Sequence, residues 1–295
     1  IAIFFGLSIG VLLSGNTYPE VLAIICGAGL IMLLGVVDDR SDISANLRIT
    51  LQAGIALLVI VVGDVSVTQL GDIVGTGGLG SGPFAIPFSV IAIVGVINAF
   101  NMIDGTDGLA GGLALVSSAL VAIASLASGF QPGLILAICL AAATAGFLLY
   151  NLRHPWRHKA AVFMGDAGSM VLGLVVACLL IMVTQSDTPA ISPMTSVWIL
   201  ALPLLDMGAI MIRRMLKGRS PFSADREHLH HILLAAGLSV GKTVMLMLGV
   251  ATLLGAGGMM AHWAGVPDYV LFVAFLLTLA VYVYAMSHAW RLMRA

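Results

Sequence analysis

Runs of about twenty apolar residues, the length that crosses a bilayer, recur along almost the whole chain and constrain its fold more than any other feature. Only 9% of the 295 residues are charged, against about 25% in an average soluble domain. The runs show no alternation of polar and apolar residues, which favours helices over a membrane β-barrel. The runs cover approximately residues 1–13, 21–36, 47–63, 84–100, 109–128, 132–150, 168–184, 194–212, 243–261 and 268–287. We therefore predict an all-α, polytopic membrane bundle of about ten transmembrane helices, with residues 1–295 as a single domain.

The basic residues fix an orientation for this bundle. If the runs alternate across the membrane, all thirteen lysines and arginines fall on one side. The positive-inside rule assigns that side to the cytoplasm. The net charge is −1 and no basic tract resembles a nucleic-acid-binding groove, so we expect no nucleic-acid partner.

Two adjacent aspartates close the second run. In LLGVVDDRSD, at 33–42, Asp38 and Asp39 follow directly on apolar sequence. Neighbouring carboxylates repel each other unless a cation lies between them, so the pair suits metal binding or proton abstraction. The alternative is an interfacial acidic cap that Arg40 balances.

A second pair of acids stands in the glycine-rich stretch NAFNMIDGTDGLAGG, at 98–112. Asp104 and Asp107 are each followed by a glycine, Gly105 and Gly108. Glycine accepts positive φ and lets the backbone approach a ligand closely, so we expect a turn that surrounds a substrate. The alternative is helix packing through a GxxxG face that ends at Gly112.

A third acid, Asp166, lies in AVFMGDAGSMVLG, at 161–173, just before a predicted span. It could cap that helix, as could Ser169. It could instead bind Mg²⁺, which prefers oxygen ligands and commonly uses one or two carboxylates together with substrate phosphates.

Histidines and basic residues share the longest hydrophilic segment, 213–239. His228, His230 and His231 are too closely spaced for a structural zinc site, and no cysteine is near. With the arginines around them they suit phosphate binding, although the arginines alone could serve as a topology anchor. Asp206 lies within a predicted span, where we expect it to pair with a basic partner or to support the site.

Carboxylates, a divalent cation and basic anion binders are the components of phosphoryl transfer, in which catalysis is mostly positioning and charge neutralisation. A lipid substrate would explain a site in the membrane. A metal-dependent lipid phosphatase could use the same groups. A transporter would also keep intramembrane acids, but closer to the middle of the bilayer.

The motifs LGVVDDR, NAFNMIDGTDGLAGG, FMGDAGS and DREHLHH, in this order, resemble those of the polyprenyl-phosphate N-acetylhexosamine-1-phosphate transferases. The resemblance spans nearly the whole chain. The ending HLHH is more similar to the branch that uses UDP-N-acetylglucosamine than to the branch that uses UDP-muramoyl-pentapeptide.

This resemblance implies a Mg²⁺-dependent enzyme, with Mn²⁺ as an alternative ion, in the bacterial cytoplasmic (inner) membrane with its active site facing the cytoplasm. It would transfer N-acetylglucosamine-1-phosphate from UDP-N-acetylglucosamine to undecaprenyl phosphate and release UMP, as the first membrane step of a cell-envelope polysaccharide. Family members begin with a further span and a cytoplasmic loop, which we expect to precede Ile1. Whether the protein forms a homodimer stays open.

The resemblance also implies roles for individual residues. Asp166 would bind the metal. Whether Asp38 is a second metal ligand stays open. Asp38 and Asp39 would lie at the lipid phosphate, where either could deprotonate or orient it. The three histidines would hold the diphosphate or the sugar. Together with Asp38 and Asp39 they are the residues implied in catalysis. The residues implied in substrate binding are Asn101, Asp104, Gly105, Asp107, Asn151, Phe163 and Arg226.

Overall fold

A computed structural model describes residues 1–16, 18–41, 43–153, 157, 159–218, 220 and 228–294 of the chain. Within these ranges the fold is helical, with one isolated bridge between Gln69 and Gly80. The α-helices are α1 (Ala2–Leu13), α2 (Pro19–Ser41), α3 (Ala45–Gly63), α4 (Ala85–Ile103), α5 (Leu109–Ser128), α6 (Gln131–Asn151), α7 (Gly165–Gln185), α8 (Pro193–Ile199), α9 (Ala201–Leu216), α10 (Leu229–Ala235), α11 (Val240–Trp263) and α12 (Asp268–Arg294). The predicted fold class is therefore confirmed.

The number of membrane spans is close to the predicted ten. Of the described helices, eight are long and apolar enough to cross a bilayer, and α8 and α9 together could form a ninth span. The predicted run at 1–13 forms α1, which has only 12 residues. Each of the ten apolar runs thus corresponds to a helix or a helix pair.

The predicted span at 194–212 consists of two helices, α8 and α9, with a break between them. The chain bends by 80° between α8 and α9, and Leu200 at the break leaves helical geometry, with φ −96° and ψ 13°. Pro203 gives the physical reason, because proline has no N–H to donate to the carbonyl of Ile199 and its ring clashes with that carbonyl. The break starts a new helix whose second turn carries Asp206.

Helix α7 forms the centre of the bundle, because every position of its most apolar 18-residue window is buried. Two glycines allow its neighbours to approach closely. A Cβ on Gly35 of α2 would overlap the backbone of Ala167, and a Cβ on Gly173 of α7 would lie 2.6 Å from Cα of Ile97 in α4. The end of α2 and the start of α7 are thereby brought together, and this places their acids side by side.

Candidate active site

Asp39 caps the N-terminus of α7. Its carboxylate oxygens accept hydrogen bonds from the backbone N–H groups of Asp166, at 2.9 Å, and Ala167, at 3.4 Å. Gly165 makes this possible with a φ of 66°, since a Cβ there would lie 2.8 Å from Asp39 Oδ2. The first turn of a helix also attracts negative charge. The cap of α7 therefore comes from α2, whereas the hydroxyl of Ser169 donates to carbonyls of its own helix.

Asp38 is buried and paired with a cation from α3. Its Oδ2 lies 2.9 Å from Nη1 of Arg48, and its Oδ1 accepts from the backbone N–H of Ile43 at 3.0 Å. The same Nη1 lies 3.9 Å from Oδ2 of Asp166. Arg48 thus joins the two acids that the sequence assigned to separate motifs. The sequence analysis missed it as a site residue, although its place in the first turn of a cytoplasmic helix end was a signal.

Asn101 holds the other oxygen of Asp166. Its Nδ2 donates to Asp166 Oδ1 at 2.8 Å and to Ser169 Oγ at 3.1 Å. One turn earlier on α4, Nδ2 of Asn98 donates to Oε1 of Gln52 in α3 at 2.8 Å. Asn101 was expected to bind substrate, and in this structure it orients Asp166.

The glycine-rich stretch forms the turn between α4 and α5, as expected. Asp104 follows the last residue of α4, and Gly108 precedes α5 with a φ of 87°. Asp107 Oδ2 lies 2.7 Å from Nε of Arg153. The alternative of glycine packing holds for Gly112 as well, because a Cβ there would lie 2.6 Å from the Leu248 side chain of α11.

Asn151 supports this turn from α6. Its Oδ1 accepts from the backbone N–H of Gly108 at 2.7 Å, and its Nδ2 donates to the carbonyl of Val162 at 2.8 Å. Its side chain is buried. Asn151 therefore fixes the acidic turn and the segment before α7 relative to each other.

The pKa of Asp104 is raised from 3.8 to about 7. Burial of the carboxyl is the main cause, and the negative charges of Asp166, Asp107 and Asp39 add to it. A carboxyl with such a pKa exchanges a proton near neutral pH. The smaller part of the shift, which comes from the three neighbouring acids, reflects the negative charge gathered at this end of the bundle.

Phe163 is 79% exposed. It lines a cavity of about 390 Å³ together with Asp107, Arg153 and Lys159. An exposed ring beside one acid and two cations is available for stacking on a planar group.

The three histidines lie together near the acidic turn. The rings of His228 and His230 are stacked, with centroids 5.5 Å apart and planes at 9°, and His231 lies 4.1 Å from His230. A Cβ on Gly105 would overlap Nε2 of His230. The histidine stack, as we call these three residues, is thus in contact with the turn that carries Asp104. The predicted Arg226 lies outside the described residues.

His230 is fully buried. Neither ring nitrogen has a hydrogen-bond partner among the residues that the structure describes. Burial is the main cause that lowers its pKa from 6.5 to about 4, and the neighbouring His231 and His228 contribute to this shift. At neutral pH this ring is therefore uncharged, and its nitrogens can take up a ligand group.

A divalent cation fits the acids of α2 and α7. Across the described ranges, no group of three or more His, Cys, Asp and Glu side chains could hold a metal ion by itself. Mg²⁺ does not require such a group, since it commonly takes one or two carboxylates and completes its shell with water and phosphate. Asp38 and Asp166 already share one cationic group, Nη1 of Arg48. A metal held by Asp166, with or without Asp38, is compatible with this geometry.

The fold and the site define a polytopic membrane enzyme whose acids, cations and imidazoles converge from separate helices at one end of the bundle. Comparison with known proteins gives the family. The sequence profile of glycosyl transferase family 4 matches residues 21–184. The chain belongs to this family and is a sugar-phosphate transferase.

Similar proteins carry one name, undecaprenyl-phosphate alpha-N-acetylglucosaminyl 1-phosphate transferase. The protein of Escherichia coli O157:H7 is 39% identical over 277 residues, which cover 94% of this chain and 75% of the relative. The Salmonella typhi protein is 39% identical over 295 residues, covering 100% of this chain and 80% of the relative. The Haemophilus influenzae protein is 38% identical over 265 residues, covering 90% and 75%. The similarity thus extends well beyond the matched profile, to the whole chain in the Salmonella typhi comparison.

Proposed function

We propose that this protein transfers N-acetylglucosamine-1-phosphate from UDP-N-acetylglucosamine to undecaprenyl phosphate and releases UMP. An oxygen of the lipid phosphate attacks the sugar-side phosphorus, and a new P–O bond forms. The P–O bond to the bridging oxygen breaks, and that oxygen leaves with UMP. The names of the relatives, whose similarity covers 94% of this chain in the first comparison, support this reaction.

One observation carries the assignment of the site. Arg48 lies within 4 Å of both Asp38 and Asp166, and Asp39 caps α7, whose first turn carries Asp166. Acids from two motifs therefore form one connected group with a cation at its centre. Phosphoryl transfer needs this combination, because negative charge on several phosphate oxygens must be neutralised while donor and acceptor are held in line.

The lipid phosphate would bind at Asp38 and Asp39. A cavity of about 560 Å³ reaches Asp39 and is lined mostly by apolar side chains of α1, α2, α6, α7 and the segment before α7, with Val36, Phe147 and Met164 among its residues. It can hold part of a polyprenyl chain with the phosphate near Asp39. Either acid can deprotonate or orient the attacking oxygen.

The nucleotide would bind on the other side of Asp166. Asp107 and Arg153 form a charge pair beside the exposed ring of Phe163, which supports stacking of uracil on that ring. The histidine stack next to Gly105 would hold the diphosphate or the sugar through imidazole N–H groups. Arg226 lies outside the described residues. It belongs to the proposal only because its motif resembles that of the family.

Asp166 would hold Mg²⁺, or Mn²⁺ in its place. Asp38 is the candidate for a second carboxylate ligand. When bound it neutralises charge on the diphosphate of the nucleotide sugar. Asn101 keeps Asp166 in position through Oδ1 and leaves Oδ2 directed towards Arg48. The site would face the cytoplasm of a bacterial cell, because the basic residues collect on that side.

The test is a UMP-release assay with purified protein, undecaprenyl phosphate and Mg²⁺. UDP-N-acetylglucosamine should give UMP, whereas UDP-muramoyl-pentapeptide and other UDP-hexosamines should give little. Release of inorganic phosphate without a nucleotide would indicate a lipid phosphatase, and no UMP from any UDP-sugar would refute the proposal. Asp166→Asn should abolish turnover at every Mg²⁺ or Mn²⁺ concentration, and unchanged activity would remove the metal assignment.

A further inference from the structure

Asp206 lies one and a half turns into α9, just beyond the break at Leu200. It is 1% exposed. Three donors, two from adjacent residues and one from α12, point at its carboxylate. Nδ1 of His228 lies 2.7 Å from Oδ2, and Oδ1 accepts from the backbone N–H of Leu229 at 3.0 Å and from the hydroxyl of Tyr282 at 2.9 Å.

This arrangement selects one form of the His228 ring. An ionised carboxylate has no hydrogen to donate, so it can only accept a hydrogen bond from the imidazole. Nδ1 of His228 therefore carries the hydrogen. In the neutral ring Nε2 is then the bare nitrogen, and in the protonated ring it is a donor. In both forms Asp206 fixes the plane and the direction of the ring.

The effect of Asp206 extends to the other imidazoles. His228 stacks on His230 with nearly parallel planes, at 9°. His230 in turn abuts Gly105 in the acidic turn. Since buried aromatic rings pack in fixed geometry, an anchor on His228 holds the position of His230 as well. A continuous chain of contacts thus leads from Tyr282 through Asp206 and the histidine stack to the turn that carries Asp104.

We propose that Asp206, itself held by Tyr282, is a positioning residue that sets the tautomer of His228 and seats the histidine stack against Gly105. The proposal rests on the proposed function, because it assigns the stack to the nucleotide sugar. It gives the acid inside α9 and the hydroxyl in α12 a task in the reaction, although neither side chain lies in the four sequence motifs.

The break before α9 places Asp206 for this task. The 80° bend at α8 and α9 turns the second helix out of line with the first. Asp206 then faces the segment that begins at His228, and Tyr282 reaches it from α12. A straight helix through Leu200 would direct this carboxylate elsewhere.

The test measures kcat and both KM values in the UMP-release assay for Asp206→Asn and Tyr282→Phe. Asp206→Asn keeps the side-chain volume but presents an amide to three donors. We expect kcat/KM for the UDP-sugar to fall by about tenfold or more, as for other residues that orient a catalytic imidazole. The KM for undecaprenyl phosphate should be unchanged. Tyr282→Phe removes one donor and should shift the same parameter by a smaller factor.

Matched controls carry the same chemical changes elsewhere. Tyr284→Phe lies on the same helix with its ring 68% exposed, and Asp187→Asn changes an exposed acid beyond α7. Both should match the wild type. If the wild type releases no UMP, the proposed function fails. If the wild type releases UMP and the variants behave like it, only the inference about Asp206 fails.

Two results would overturn the inference. One is wild-type kinetics for Asp206→Asn. The other is a loss confined to the fraction of active protein, with both KM values unchanged, because that result indicates a purely structural acid. Should Asp206→Asn not fold, Tyr282→Phe decides: a rise in the KM for the UDP-sugar, with the KM for undecaprenyl phosphate unchanged, supports the proposal, and wild-type kinetics contradict it.

Discussion

Asp39 caps the helix that presents Asp166, with its Oδ1 2.9 Å from the backbone nitrogen of Asp166. One acid of the site thereby positions another. The cap joins the end of α2 to the start of α7, so that the proposed lipid-phosphate site and the proposed metal site cannot move independently. Asp39 has a structural role as well as any role in the reaction, and the two can be separated by substitution.

Replacing Asp39 by asparagine or by alanine should separate two effects of this residue: the hydrogen bonds that cap α7 and the negative charge that the reaction would use. Asparagine has one acceptor oxygen and so keeps one of the two hydrogen bonds that the carboxylate accepts, whereas loss of a whole cap costs about 1 kcal/mol. We expect thermal stability in detergent to decrease from wild type to Asp39→Asn, and further to Asp39→Ala. Both variants should lose turnover. Equal melting temperatures for the asparagine and alanine variants would contradict the capping role.

Arg48→Gln should destabilise the protein in a manner that Mg²⁺ partly reverses. A hydrogen bond to a charged group contributes about 1.5–3 kcal/mol, and Asp38 would be left buried without its cation. A divalent ion near Asp38 and Asp166 would replace the lost charge. Melting temperatures measured in EDTA and in Mg²⁺ check this, with the exposed Lys242→Gln as the control. A loss that is the same in both solutions would indicate that the metal binds elsewhere.

Gly105→Ala should lower turnover by about tenfold or more, because an added Cβ overlaps His230 Nε2 and overpacking typically costs about 1–3 kcal/mol. The stack would have to shift away from the acidic turn. Gly54→Ala in α3 is the matched control, since a Cβ there meets nothing within 4 Å. The measurement is UMP release by both variants at matched folded protein. Wild-type activity of Gly105→Ala would show that the contact has no part in the reaction.

Asp104→Asn should change how stability depends on pH. The folded protein holds the Asp104 proton up to about pH 7, whereas the unfolded chain releases it near pH 3.8. The resulting stabilisation is complete below the lower value and is lost as pH rises through the upper one. In EDTA, the melting temperature of the wild type relative to that of Asp104→Asn should therefore fall between about pH 4 and about pH 7. A difference that is constant with pH would contradict the raised pKa.

The acids could be predicted from the sequence because a charge next to an apolar run is costly unless it serves a purpose. Asp38, Asp39, Asp104, Asp107 and Asp166 were all chosen on that ground, and the structure brings them to one end of the bundle. The glycine-rich turn was predictable for a similar reason, since the spacing of Gly105 and Gly108 is typical of a tight connection.

The partners of these acids could not be predicted. Arg48 reaches Asp166 across 118 positions of sequence, and Tyr282 reaches Asp206 across 76. Such pairs depend on which helices pack against each other, and the hydrophobic pattern of a membrane helix does not specify its neighbours. The break at Leu200 could have been predicted from the sequence, because Pro203 interrupts the hydrogen bonding of a helix at this point.

The burial of α7 on all sides has a practical consequence for handling the protein. The first turn of this helix carries Asp166, the proposed metal ligand, so we expect that loosening the packing at Gly35 or Gly173 displaces that carboxylate. Catalytic rate should therefore report on the integrity of the extracted protein more sensitively than helix content does. Detergents and lipid mixtures for purification can be ranked by initial rate, before any spectroscopic sign of unfolding develops.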